Sequence, residues 1–125
     1  MIVVSPVTSV CCSTTHLLAK GNTLYWSEGL TNGNASVKRV SITGGAPTTL
    51  ISGLDLNAFA QIIVDEAALY LNNAQPSGVT RYDLQTLARS TVAIVNDNQG
   101  AFLVADALNF YAITTSASAI WRIPK

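Results

Sequence analysis

Seven carboxylates, one histidine and two adjacent cysteines are the side chains of this 125-residue chain best suited to acid–base, nucleophilic or metal chemistry. The acids are Asp55, Asp65, Asp83, Asp97, Asp106, Glu28 and Glu66. They form no paired-carboxylate motif, and the chain has no nucleophile elbow and no Gly-rich phosphate loop. A zinc site needs three or four converging ligands, and His16 is the single His. Cys11 and Cys12 have Cα atoms about 3.8 Å apart, short of the roughly 4.4–6.8 Å that a disulfide spans. We read them as small residues of a strand. Their nearness to His16 would allow a thiol–imidazole dyad, but ordinary packing accounts for all three. The expectation is a chain with no catalytic residue, no cofactor and no metal.

Asp65 and Asp106 recur at the same place, each five residues before a Tyr. The two stretches are Ile62-Ile63-Val64-Asp65-Glu66-Ala67-Ala68-Leu69-Tyr70-Leu71 and Phe102-Leu103-Val104-Ala105-Asp106-Ala107-Leu108-Asn109-Phe110-Tyr111. A weaker copy runs from His16 to Tyr25. A residue that repeats with the fold serves the fold, so each Asp is expected to cap backbone N–H groups in a tight turn. Arg39, Arg81 and Arg122 follow Tyr25, Tyr70 and Tyr111 at fourteen, eleven and eleven residues. They share strand faces with Val37, Val79 and Ile120, so their stems can pack while their heads find polar partners. The three Tyr are expected in the core, each hydroxyl bonded to backbone.

The residues that do not repeat are the binding candidates. Trp26 and Trp121 lack counterparts in the other copies, and aromatic side chains anchor interfaces. The polar candidates lie on three connections, because connections carry recognition. Glu28, Asn32 and Asn34 belong to Glu28–Asn34, Asn73 and Gln75 to Asn72–Ser77, and Asp97 and Asn98 to Asp97–Gly100. Asn34-Ala35-Ser36 also forms an N-glycosylation tripeptide, which counts only in a glycosylating pathway.

The elements that position these residues are strands. Apolar residues make up 49% of the chain and charged ones 11%, against about 25% charged in ordinary soluble domains, so disorder is excluded. Seven basic and seven acidic residues cancel, which removes the footprint expected of a nucleic-acid binder. The apolar runs are far shorter than the roughly 18 residues of a membrane helix, so no membrane span is expected. Gly, Asn and β-branched residues punctuate the chain at strand spacing, and no sustained helical stripe is present. Residues 2–10, which lack a basic leader and contain Pro6, read as an edge strand. The first copy (13–52) has strands at Leu17–Ala19, Thr23–Ser27, Ser36–Ile42 and Thr48–Ile51. The second (58–95) has Gln61–Asp65, Ala68–Asn72, Gly78–Leu84 and Arg89–Val95. The third (101–125) has Phe102–Ala105, Asn109–Thr114 and Ala119–Ile123, with no fourth strand. Four short strands per 40–45 residues is the size of a propeller blade. The fold class is therefore all-β and β-propeller-like, one partial domain of about three four-stranded antiparallel blades.

Leu24-Tyr25-Trp26-Ser27, followed by Val37-Lys38-Arg39-Val40-Ser41-Ile42-Thr43-Gly44-Gly45-Ala46-Pro47-Thr48-Thr49-Leu50, resembles YWTD-type propeller repeats of the bacterial kind. Ile63-Val64-Asp65 before Leu69-Tyr70 is similar to the same family's apolar-Asp run. The second copy departs from it with Leu71-Asn72-Asn73 after the Tyr, and the third with Ala112-Ile113. The resemblance implies six blades in a ring, secreted or in the periplasm or cell envelope. It also implies a non-catalytic binding or scaffolding module that recognises a protein, peptide or glycan through its face loops. The alternative it implies is a piece or subunit of a metal-dependent propeller hydrolase or lyase. Three blades cannot close a ring. Two copies would supply six, with residues 2–10 of one completing the third blade of the other; otherwise the chain is part of a longer propeller.

Overall fold

In a computed structural model, the structure describes residues 16–29, 34–55, 59–74, 77–94, 102–114 and 119–125. The expected strand at 2–10 and the Cys11–Cys12 pair lie outside the described residues. Eleven strands follow one another: β1 (Leu17–Lys20), β2 (Thr23–Gly29), β3 (Asn34–Ser41), β4 (Thr48–Asp55), β5 (Phe59–Val64), β6 (Ala68–Ala74), β7 (Ser77–Asp83), β8 (Arg89–Ile94), β9 (Phe102–Ala105), β10 (Asn109–Thr114) and β11 (Ala119–Pro124). They build three antiparallel sheets in simple meander order, β1-β2-β3-β4, β5-β6-β7-β8 and β9-β10-β11. The protein is thus all-β, and among the described residues no helix is long and apolar enough to cross a membrane.

Every strand expected within the described residues is present, but several start earlier or run further than the residue pattern suggests. β2 continues through Glu28 to Gly29, β4 continues past Ile51 to Asp55, and β6 continues past Asn72 to Ala74. Polar and Gly residues there look like loop, yet the ladder holds them, pairing Glu28 with Ser36, Ala35 with Leu54, and Asn73 with Gly78. Backbone pairing is satisfied by any side chain except Pro, so composition marks strand ends poorly. The β3–β4 hairpin needs left-handed backbone, which Gly44 and Gly45 supply with φ of 96° and 123°.

The chain divides into two compact units, Met1–Leu56 and Asn57–Lys125. The first holds the β1–β4 sheet, with Tyr25, Trp26, Ala35, Val37, Val40, Leu50 and Ile51 buried. In the second, two sheets pack face to face. Ala68, Tyr70 and Val79 from β5–β8 form one core with Leu103, Phe110 and Ala112 from β9–β11. Phe110 meets Tyr70 edge-on at 4.7 Å between ring centroids, a geometry that adds about 0.5–1.5 kcal/mol to what burial alone contributes. A polar pin fixes the relative height of the two sheets. The Gln61 amide accepts from Leu103 N at 2.9 Å and donates to Leu103 O at 2.7 Å.

Candidate functional site

The meander sorts each sheet's connections between its two ends. In the second unit, one end carries the turns after β5, β7 and β9. The other end carries the connections after β6, β8 and β10. At the first end, three Asp residues organise the turns. Asp65 Oδ1 accepts from Ala67 N and Ala68 N, both at 2.9 Å. Asp106 Oδ1 accepts from Leu108 N and Asn109 N, both at 2.7 Å. Asp83 Oδ1 accepts from Gln85 N at 3.0 Å and from Thr86 N at 2.9 Å. The expected capping role of Asp65 and Asp106 is what the structure shows.

The second oxygen of each repeated Asp corrects another expectation. Tyr70 donates its hydroxyl to Asp65 Oδ2 at 2.9 Å, and Tyr111 donates to Asp106 Oδ2 at 2.8 Å. These hydroxyls bond a carboxylate, where backbone was expected. The Asp-to-Tyr interval of five spans one tight turn and places the phenol back over the cap. Tyr25, Tyr70 and Tyr111 stand directly across the ladder from Arg39, Arg81 and Arg122. The Tyr-to-Arg interval is therefore the length of one hairpin, three residues longer in the first sheet than in the other two. Arg81 Nη2 also reaches Asp83 Oδ2 at 3.3 Å.

These contacts set the protonation of the cluster. Burial of the Asp65 carboxyl works to raise its pKa. The bonds from Ala67 N, Ala68 N, the Tyr70 hydroxyl and the Lys125 ammonium outweigh that and hold it below the usual carboxylate range. Asp106 is pulled down to about 2 by Leu108 N, the Tyr111 hydroxyl and Asn109 N. Asp83 is lowered by Thr86 N and Gln85 N. Tyr70 is raised, first by burial and then by its bond to Asp65, and Tyr111 by its bond to Asp106. A carboxylate ionised this firmly accepts hydrogen bonds and cations but is a poor proton donor or base near neutral pH.

The first unit has no Asp at this place, since Lys20 stands five residues before Tyr25. Its buried polar cluster is different. Trp26 Nε1 donates to Glu28 Oε1 at 2.8 Å, and Lys38 Nζ forms an ion pair with Glu28 Oε2. The Glu28 side chain is 1% exposed. Nothing in the sequence alone marks Lys38; the ladder, which sets it across from Trp26, brings it to Glu28.

The candidate binding residues separate accordingly. Glu28, expected on a loop, is buried in β2, and Trp26 is buried beside it, hydrogen-bonded to it. The connection expected from Asn72 starts later, because Asn72 is buried in β6. Asn73 is in β6 as well. Asn34 is exposed at the head of β3, while Ser36 of its tripeptide is buried. Trp121 is exposed on β11. Asn32, Gln75, Asp97 and Asn98 lie outside the described residues. Of the nine, the structure brings only Trp26 and Glu28 into contact among the described residues. His16 exchanges two hydrogen bonds with Ser27, through its backbone O and N, and no group of three or more His, Cys, Asp or Glu that could hold a metal is found among the described residues.

No protein-family model matches the chain, and no curated protein matches it either.

Proposed function

We propose that the chain is an array of β-propeller blades of the YWTD-like kind. In this reading it works outside the cytoplasm as a non-catalytic binding module for a protein, peptide or glycan. The observation that carries the reading is the division of labour along the strands. The polar residues that recur, Asp65 and Asp106 with Tyr70 and Tyr111, are consumed by turns at one end of their sheets. Of the candidate residues that differ between copies, Asn34 and Trp121 are exposed, while Trp26 and Glu28 are buried. A repeat protein uses its constant residues to build and its variable ones to recognise. The three meanders and the matching Tyr–Arg ladders support the blade assignment.

The experiment is a binding survey of the whole chain against glycan and peptide arrays, followed by titration of any hit. Saturable binding that Trp121→Ala or Asn34→Ala weakens about tenfold would support the reading. Turnover of an ester or glycosidic substrate that EDTA abolishes would overturn it and favour a metal-dependent hydrolase or lyase.

A further inference from the structure

The seam between the two sheets of the second unit holds an ammonium group. Lys125 Nζ lies 3.2 Å from Asp65 Oδ2. It also stands over two aromatic rings, 5.5 Å from the centre of Tyr70 and 5.3 Å from that of Phe110. These two residues meet edge-on and are 5% and 0% exposed. The Lys125 side chain is 14% exposed and that of Asp65 29%. A cation within about 6 Å of a ring face is attracted by the ring quadrupole, more strongly where water is kept away. One carboxylate oxygen and two ring faces therefore converge on one nitrogen.

The repeat separates what builds this turn from what holds the ammonium. Asp65 Oδ1 accepts from Ala67 N and Ala68 N, and Oδ2 accepts from the Tyr70 hydroxyl. Asp106 makes the same turn with Leu108 N, Asn109 N and the Tyr111 hydroxyl. The lysine contact is thus an addition to the cap. The place of Lys125 is set by its backbone, whose N donates to Leu108 O at 3.0 Å. Leu84 N donates to Ala67 O at 2.9 Å in the same way, and Ile42 N to Asn22 O at 3.0 Å. Ile42, Leu84 and Lys125 each stand just past the third strand of their sheet. Two of the three are aliphatic, so the hairpin closes without a cation there.

The arrangement also selects among cations. Asp65 Oδ2 is at hydrogen-bond distance from the nitrogen, so the group must carry an N–H, which a quaternary ammonium lacks. A guanidinium binds best across both oxygens of a carboxylate, and here Oδ1 is committed to the turn. A primary ammonium meets both conditions.

We propose that Asp65 Oδ2 and the Tyr70 and Phe110 rings form a binding pocket for the ammonium of a peptide lysine, and that Lys125 fills it as a tethered occupant. A ligand lysine enters by displacing the Lys125 side chain, whose attachment gives it an effective concentration of roughly millimolar order. The contact is therefore autoinhibitory and sets the threshold for binding. The pocket rests on the geometry of the second unit alone, and it stands whether or not the blade reading does.

The test is titration of the wild-type chain and of Lys125→Ala with n-butylammonium chloride at constant ionic strength, read from the ring proton shifts of Tyr70 and Phe110. The substitution removes the occupant and leaves the bond to Leu108 O, so circular dichroism should be unchanged. Lys125→Ala should bind saturably, with a dissociation constant at least about tenfold below that of the wild type, where the tethered lysine competes. n-Butanol, of the same length but uncharged, should give no saturable shift. N-acetyl-lysine amide should compete with butylammonium for the same shifts. Adding Asp65→Asn to Lys125→Ala keeps a capping oxygen and removes the charge, and should weaken butylammonium binding about tenfold. No saturable binding to Lys125→Ala, equal affinity for n-butanol, equal affinity of wild type and variant, or a lysine amide that leaves the shifts unchanged would overturn the proposal. The n-butanol comparison needs no second substitution, so it decides the matter even where the double variant fails to fold.

Discussion

Replacing Gln61 by Met keeps the length and volume of the side chain but removes both arms of the pin between the sheets of the second unit. In the wild type the amide makes two hydrogen bonds to the backbone of Leu103, at 2.7 and 2.9 Å. A typical internal hydrogen bond contributes about 0.5–1.5 kcal/mol net. The variant also leaves Leu103 N–H and C=O to find water at a part-buried site, which adds to the loss. Together the expected cost is about 2 kcal/mol, with a ceiling of about 3 kcal/mol. With a urea slope of roughly 1–3 kcal/mol/M for a chain of this size, the midpoint should fall by about 1 M at unchanged slope. Amide exchange at Leu103 should accelerate more than at Ala112, which faces the same core. A loss under about 0.5 kcal/mol, with Leu103 protection intact, would refute the reasoning. It would mean that apolar packing alone sets the height of the sheets.

Lys38→Met should destabilise the first unit by about 3–5 kcal/mol, because it strands the buried Glu28 carboxylate beside Trp26. Adding Glu28→Gln to that variant should recover most of the loss in urea unfolding, and failure to recover it would assign the cost to packing of the lysine stem. Acid should weaken the fold in a defined window. Asp106 has a folded pKa of about 2, below its unfolded value of about 4. The stability it contributes is therefore complete above about pH 4 and is lost as pH falls through the folded pKa. Asp65 and Asp83, also lowered, act in the same direction. Urea midpoints measured from pH 5 to pH 2 should fall, and Asp106→Asn should flatten the fall; an unaltered slope would remove Asp106 from the account.

The sequence by itself determined the strand content, the three-fold repetition and the turn role of Asp65 and Asp106. These are local matters. A strand announces itself by short apolar runs between turn residues, and a turn cap needs only a carboxylate two or three residues from the N–H groups it serves. The interval between Tyr and Arg was also legible, although its cause, a direct cross-strand pair, appears only in the ladder. What the tertiary structure decided is non-local. Glu28 looks like a loop acid, but Trp26 and Lys38 bury it, and the partners come from two different strands. Gln61 looks like an ordinary strand polar residue until a backbone 42 positions away is brought against it. Leu17, Ile62 and Leu103 hold one place in the repeat and are all aliphatic, yet only two are buried. Residue type cannot distinguish them, because burial depends on which sheet lies opposite, and that is fixed by packing between elements distant in the chain.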